Sequence, residues 1–259
     1  MTTAPHAKGL PGWVELTVDN AEAAAEFYAA LFGWSIQLMD PVDDFQYRII
    51  MNGGKTIGGL MGKANDYQPT QWLTYFETDK LEETIDAVKA NGGAVYMDPM
   101  PMPGGRFTVA SDPAGAPIGL MESDNANDSY GEANGLTWYE LEVADREKLP
   151  VTVDFYREVF DWATDEQINT EDMTYTTFGK NHDEQVGGIF GGQEFPGYLN
   201  NQSQWAVTFA VDDVDAMADK AKALGASVEG VMKDTPYGNF AMLRDPQGAF
   251  FVIMKANEQ

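Results

Sequence analysis

Two glutamates occupy the same place in two matching stretches of the chain, residues 13–16 (WVEL) and 138–141 (WYEL). Apolar residues alternate with the others there, which is typical of a half-buried β-strand, so Glu15 and Glu140 each share a face with the preceding tryptophan. If that face lines a cleft, burial raises the carboxyl pKa, and a second carboxylate nearby raises it further. Glu15 and Glu140 are therefore the candidate catalytic residues, as an acid–base pair, as ligands of a hard divalent cation, or as the recognition site of a cationic ligand. The alternative is that both are ordinary solvated strand residues.

The scarcity of histidine and cysteine limits the metal chemistry that the chain can support. The sequence has 2 histidines and no cysteine, with His6 near the start and His182 in a predicted turn. A three-histidine zinc site, or an iron site of two histidines and one carboxylate, is therefore not expected within one chain. If Glu15 and Glu140 bind a metal, oxygen ligands favour Mg²⁺, Mn²⁺ or Ca²⁺ over zinc or iron. The other expectation is that no metal binds.

Aromatic residues and one arginine complete the candidate substrate-binding set, which consists of Trp13, Trp138, Trp72, Trp205, Phe250 and Arg106. At strand spacing, such aromatic residues are also typical of a core. Arg106 follows a loop rich in proline and glycine and is one of five arginines in an acidic chain. It is therefore predicted to bind a substrate carboxylate, with a surface ion pair as the alternative.

The charge balance argues against polyanionic partners. The 41 acidic and 16 basic residues give a formal net charge of −25, which repels nucleic acid and anionic membrane surfaces. The absence of cysteine excludes disulfide scaffolds and thiolate metal sites. No signal peptide is recognisable, and unbroken apolar runs such as residues 250–254 are too short to span a membrane. We expect a soluble, cytoplasmic protein without nucleic-acid or membrane partners.

An internal repeat predicts the architecture. Ordered anchors of the first half recur about 130 residues later, among them Gly58-Gly59 as Gly187-Gly188. We predict a tail at 1–9, modules at 10–122 and 136–256, and a solvated linker at 123–135. Each module is predicted to have the order β-α-β-β-β-α-β-β, with its first helix after the glutamate strand and its second before the last hairpin.

Four short motifs, each present twice, carry a family resemblance: Trp-x-Glu-Leu, Phe-Tyr-x-x-x-Phe-x-Trp, Gly-Gly and Asp-Pro-x-Gly. In this order they resemble the glyoxalase / bleomycin-resistance / extradiol dioxygenase superfamily, and Gly-Arg-Phe at 105–107 resembles its two-module, hydroxylase-like branch. The resemblance implies an α+β fold of tandem βαβββ modules, whose curved mixed sheets enclose a cleft. It also implies metal ligands on the first strand, at Glu15 and Glu140, and on the last strand. The last-strand positions hold Gly119 and Val252, whose side chains cannot bind a metal.

Two classes of function follow from these observations, and a third stays open. The first is a lyase, isomerase or oxygenase in which Glu15 and Glu140 hold a divalent ion or move a proton. The second is a non-catalytic protein that sequesters a small hydrophobic or cationic molecule, as antibiotic-resistance members of the superfamily do. The third is a protein that has lost its site and acts through interactions. In the first two classes the partner is a small molecule, and the protein is a monomer or a homodimer.

Overall fold

The computed structural model describes residues 8–40, 46–123, 127–192 and 202–257. Two curled mixed sheets form two half-barrels, one from the first half of the chain and one from the second. The predicted α+β class of tandem modules with curved sheets is confirmed. None of the helices in the described part of the chain has the length and apolar character needed to cross a membrane.

The first half contains two successive βαβββ units in one sheet, with the strand order β2-β3-β4-β1-β5-β9-β8-β6 and β7 paired to β8. Its elements are β1 (Pro11–Val18), α1 (Ala21–Phe32), β2 (Ser35–Leu38), β3 (Tyr47–Asn52), β4 (Lys55–Gly62), β5 (Gln71–Glu77), α2 (Leu81–Ala90), β6 (Ala94–Val95), β7 (Met100–Met102), β8 (Gly105–Ser111) and β9 (Pro117–Ser123).

The second half repeats this plan in a sheet with the order β11-β12-β13-β10-β14-β17-β16-β15. Its elements are β10 (Leu136–Glu142), α3 (Leu149–Phe160), β11 (Ala163–Asn169), β12 (Met173–Gly179), β13 (Gln185–Gly192), β14 (Gln204–Ala210), α4 (Val214–Ala223), β15 (Ser227–Thr235), β16 (Gly238–Arg244) and β17 (Phe250–Ala256).

The glutamate strands lie at the centre of their sheets, and one glycine in each half allows close pairing on one side of the strand. β1 runs parallel to β4 and antiparallel to β5, and β10 has the matching neighbours β13 and β14. A Cβ atom at Gly58 or Gly187 would collide with the backbone oxygen of Val14 or Tyr139 on the adjacent strand. The first glycine of each Gly-Gly pair is thus required by the strand packing.

The helix boundaries follow from local capping. The Asn20 side chain accepts a hydrogen bond from the Ala23 amide at the start of α1, and Gly33 ends the helix at φ 77°. Asp213 caps α4 in the same way, through the Ala216 amide. The sequence places these helices correctly, but it misses strands at the sheet edges: β2, β6 and β7 in the first half, and β11 and β15 in the second.

The two halves pack through their helices and exchange a matching pair of hydrogen bonds. The Tyr28 hydroxyl in α1 donates to Asp245 of the second half (3.1 Å), and the Tyr156 hydroxyl in α3 donates to Asp112 of the first half (3.0 Å). All four side chains are buried. Burial raises the pKa of Asp112 to about 6, against the opposing effect of its hydrogen bonds. The aspartates of the Asp-Pro-x-Gly turns therefore join the halves.

The connection between the halves differs from the expected solvated linker. Residues 124–126 lie outside the described residues, but Asn127, Ser129 and Tyr130 are buried. The Asn127 amide donates to the Gly12 carbonyl oxygen, and the Tyr130 hydroxyl donates to the Val186 carbonyl oxygen. The polar residues misled the prediction because their hydrogen-bonding groups are satisfied inside the protein rather than by water.

Candidate functional site

Among the described residues no helix contributes to the apolar cluster on the face of the first sheet that carries Glu15, and we call this face the inner face of that half-barrel. It carries an apolar cluster that includes Trp13, Leu73, Tyr75 and Met121. Two tyrosine hydroxyls bind Glu15, which lies among these side chains. Tyr47 of β3 donates to Oε2 (2.9 Å) and Tyr75 of β5 donates to Oε1 (3.1 Å). Both carboxylate oxygens of Glu15 are therefore engaged.

Two glycines make room for these tyrosines. A Cβ atom at Gly59 would collide with the Tyr47 hydroxyl, and one at Gly119 would collide with the Tyr75 ring. Gly119 pairs directly with Tyr75 across β5 and β9. The last-strand position that the family resemblance assigns to a metal ligand is thus glycine in this half because a tyrosine ring lies over it.

The inner face of the second half-barrel holds Glu140 in a related but less complete arrangement. Oε2 of Glu140 accepts hydrogen bonds from the Tyr175 hydroxyl (3.1 Å) and from Nε1 of Trp138 (3.1 Å). A Cβ atom at Gly188 would collide with the Tyr175 hydroxyl, so this glycine repeats the role of Gly59. Oε1 of Glu140 accepts no hydrogen bond from any residue that the structure describes.

The two inner faces differ around the carboxyl group. Leu73 lies opposite Glu15 in the pairing of β1 with β5, and the smaller Ala206 lies opposite Glu140 in the pairing of β10 with β14. Thr208 stands at the position of Tyr75, so among the described residues Tyr175 is the one tyrosine that donates to Glu140. Among the described residues, the second half-barrel therefore has one carboxyl oxygen without a donor, whereas both carboxyl oxygens of Glu15 have one.

Burial is the largest cause of the pKa shifts at both glutamates. It raises the pKa of Glu15, against the hydrogen bonds from Tyr47 and Tyr75. Burial, followed by the charge of Glu142, raises the pKa of Glu140 to about 8, against the hydrogen bonds from Tyr175 and Trp138. At neutral pH Glu140 thus keeps its proton, and it can lose it under mildly basic conditions.

The structure places Glu15 and Glu140 in separate sheets, each with its own partners. The second carboxylate that raises the pKa of Glu140 is Glu142, which lies on the same strand. Glu15 and Glu140 therefore do not share one site as an acid–base pair or as joint ligands of one metal. Strand alternation predicted the face of each glutamate correctly, but it carries no information about which strands lie side by side.

The other candidate residues are divided between the two faces. Trp13 and Trp138 lie beside the glutamates, and Phe250 lies in the apolar cluster on the inner face of the second half-barrel. Trp72 and Trp205 lie on the opposite face, in the core between the halves, where their Nε1 atoms donate to Tyr28 and Tyr156.

Arg106 is half-exposed and binds two carboxylates of its own chain, Glu82 and Glu122. The structure thus brings Trp72, Trp205 and Arg106 to neither glutamate. The tyrosines at 47, 75 and 175 were missed, although Tyr47 and Tyr175 recur at matching positions after the first helix of each half.

Comparison with known proteins decides the family. The model of the family described as "Glyoxalase/Bleomycin resistance protein/Dioxygenase superfamily" matches residues 10–120 and 144–253. The chain belongs to this superfamily. It is 32% identical over 260 residues to "Putative glyoxylase CFP32" of Mycobacterium tuberculosis (strain CDC 1551 / Oshkosh), covering 97% of each chain. It is also 31% identical to "Anthracycline biosynthesis protein DnrV" of Streptomyces peucetius, covering 97% of this chain and 95% of the relative.

Solved structures of superfamily members share the fold at low sequence identity. The Mn(II)-bound glyoxalase from Novosphingobium aromaticivorans has a TM-score of 0.65 at 16% identity, with 96% of this chain and 82% of that chain covered. The 2,3-dioxygenase LapB from Pseudomonas sp. KL28 has a TM-score of 0.66 at 15% identity, with 100% and 94% covered. These likenesses extend over both half-barrels.

The donor set does not fit the divalent metal that the superfamily implies. Tyrosine hydroxyls and a tryptophan N–H donate to the two glutamates, and such groups compete with a cation for the same oxygen atoms. The last-strand positions are Gly119 and Val252, and no group of three or more histidine, aspartate or glutamate side chains that could hold an ion occurs among the described residues. Coordination by Glu15 and Glu140 of one metal is therefore not supported by their geometry.

Proposed function

We propose that the second half-barrel binds a small organic molecule on its inner face, beside Glu140, and that Glu140 exchanges a proton with it. The observation that carries this proposal is the free side of the carboxyl group. Tyr175 and Trp138 hold Oε2, whereas Oε1 has no donor among the described residues. Glu15, with both oxygens bound by tyrosines, then has a structural role in the first half-barrel.

The chemistry of this site follows from the protonation of Glu140. Because its pKa is raised to about 8, the carboxyl group is protonated at neutral pH and donates a hydrogen bond to an acceptor such as a ligand carbonyl oxygen. If Glu140 transfers its proton to that carbonyl oxygen, the resulting carboxylate accepts a proton from the adjacent carbon atom, so the ligand becomes its enol and Glu140 is protonated again. The reaction class that fits is proton transfer next to a carbonyl, as in an isomerase or a lyase.

The surroundings of Glu140 favour a flat, partly apolar ligand. The Tyr237 ring centroid lies 6.0 Å from that of Tyr175, and Tyr237 is 46% exposed, so aromatic surface extends from Glu140 to solvent. Two relatives are named anthracycline biosynthesis proteins, which makes a polycyclic aromatic ketone a reasonable probe. The same surroundings suit the second candidate function, in which the site sequesters such a molecule without converting it.

Binding is tested with an anthracycline as the probe, by titration calorimetry on the wild type and two matched variants. We expect binding by the wild type and by Glu15→Gln, and at least a tenfold weaker affinity for Glu140→Gln, since the amide cannot reproduce both protonation states. Equal loss in the two variants, or equal affinity in all three proteins, would contradict a site at Glu140.

Catalysis is distinguished from sequestration by hydrogen exchange. The protein is incubated in D₂O with cyclic and aromatic ketones, and deuterium incorporation next to the carbonyl is measured by mass spectrometry. Exchange that depends on Glu140 and not on Glu15 supports proton transfer. Tight binding of the anthracycline with no exchange in any ketone supports the sequestering function instead.

A further inference from the structure

The two half-barrels hold the same carboxyl site with different hydrogen-bond donors. Glu15 accepts a tyrosine hydroxyl at each oxygen, from Tyr47 at Oε2 and from Tyr75 at Oε1. Glu140 has the first of these donors, as Tyr175, but its Oε1 accepts no hydrogen bond from any residue that the structure describes. The donor that differs between the halves is therefore the phenol group of Tyr75.

A smaller residue replaces this phenol in the second half-barrel. Tyr75 pairs with Trp13 across β5 and β1, and Thr208 pairs with Trp138 across β14 and β10. The tryptophan of the pair is thus the same in both halves, whereas the tyrosine is not. Threonine has no aromatic ring and no phenol hydroxyl.

An aromatic side chain that packs on the phenol is nevertheless present in both halves. In the first half-barrel, the Phe107 ring packs edge-on against the Tyr75 ring, at a centroid distance of 6.1 Å and an interplanar angle of 67°. In the matching pairing of β16 with β17, the place of Phe107 is held by Phe240. Phe240 is partly buried and packs against the apolar cluster of the inner face. The second half-barrel therefore has the aromatic wall of a phenol site without the phenol.

The last strand limits where the ring of a ligand can lie. A Cβ atom at Gly119 would collide with the Tyr75 ring, and Val252 has the matching position in the second half. The Val252 side chain therefore takes part of the space that the Tyr75 ring has in the first half-barrel. A ligand ring lies further from the sheet, so the hydroxyl group, and not the ring position, is what the ligand and Tyr75 share.

We propose that the ligand of the second half-barrel carries a phenol-type hydroxyl that donates to Oε1 of Glu140, as the Tyr75 hydroxyl donates to Oε1 of Glu15. The proposal rests on the proposed function, because it places the ligand at the same oxygen atom, and it names the substrate class as phenols and enolisable aromatic ketones. A phenol has the planar C–O–H group of an enol, so it is a stable analogue of the enol that proton transfer by Glu140 forms. The ketone accepts a hydrogen bond from the protonated carboxyl group, and the enol or phenol donates one to the ionised group.

The test compares two probes that differ only in a methyl group on the oxygen atom, 2-naphthol and 2-methoxynaphthalene, by fluorescence titration at pH 9. At this pH the Glu140 carboxyl group, whose pKa is raised to about 8, is mostly ionised. A phenol with a pKa of about 10 keeps its proton. We expect the wild type to bind 2-naphthol at least tenfold more tightly than the methyl ether. Equal affinity for the two probes, or no binding of 2-naphthol, overturns the proposal.

Two variants locate the bound hydroxyl. Thr208→Tyr combined with Val252→Gly gives the second half-barrel the tyrosine and the glycine of the first, and it should abolish 2-naphthol binding. Tyr75→Phe removes the hydroxyl from Glu15 in the first half-barrel and should leave the affinity for 2-naphthol unchanged. Full affinity in the double variant, or a tenfold loss in Tyr75→Phe, overturns the proposal. If the double variant does not fold, the comparison of the two probes on the wild type still decides.

The outcomes distinguish this proposal from the proposed function. As an enol analogue, 2-naphthol should also inhibit ketone exchange in competition with the ketone. Anthracycline binding that depends on Glu140, together with equal affinity for the two naphthalene probes, would sustain the proposed function and overturn the phenol as its ligand class. Binding of neither the anthracycline nor 2-naphthol would overturn both.

Discussion

The raised pKa of Glu140 predicts a pH-dependent stability that the Glu140→Gln variant lacks. The folded protein holds the Glu140 proton up to about pH 8, whereas an unperturbed glutamate loses it near 4.5. Between these values the folded state binds more protons than the unfolded state, so this contribution is complete below pH 4.5 and is lost as the pH rises to 8.

The size of the effect follows from the pKa interval. About 1.4 kcal/mol per pKa unit over the interval from 4.5 to about 8 gives a loss of about 5 kcal/mol in the free energy of unfolding. This is an upper bound, because water that enters the half-barrel restores part of the carboxylate hydration. A change of even half this size is a large fraction of the stability of a typical domain.

The assay is urea unfolding of the wild type and Glu140→Gln at pH 5.5, 7 and 9, followed by circular dichroism. We expect the stability of the variant relative to the wild type to rise by about 3 kcal/mol from pH 5.5 to pH 9, because the neutral amide resembles the protonated carboxyl group and does not titrate. The repulsion from the net charge of −25 affects both proteins and cancels in the difference. A difference that stays constant from pH 5.5 to 9 would refute the argument.

Three further predictions concern the packing around the sites and between the halves. Gly188→Ala should weaken anthracycline binding at least tenfold in calorimetry, because the added Cβ displaces the Tyr175 hydroxyl from Glu140. Ala206→Leu should abolish the same binding and leave the melting temperature within a few degrees of the wild type, since Leu73 occupies the matching place in the first half. Tyr156→Phe should lower the free energy of unfolding by about 1–3 kcal/mol in urea titrations, because buried Asp112 and the Trp205 N–H each lose a partner. An unchanged affinity in the first two variants, or an unchanged stability in the third, would contradict these contacts.

The repeat made much of the fold predictable. Matching motifs in both halves indicated a duplicated α+β protein, and the family model and the two curled sheets agree with that interpretation. Helix caps at Asn20 and Asp213 are local, so their positions could be inferred from neighbouring residues. The buried segment around Ser129 could not, because its hydrogen-bond partners come from elsewhere in the chain.

The sequence by itself determined that Glu15 and Glu140 share a repeat position and a strand face, because side chains alternate along a strand. Only the tertiary structure decided their partners, which come from strands far away in sequence: Tyr75 is 60 residues after Glu15, and Tyr175 is 35 residues after Glu140. It also separated the glutamates into two sheets and turned Trp72 and Trp205 toward the core. The physical reason is that alternation assigns a residue to one of two faces, whereas strand order and sheet curvature determine what that face encloses.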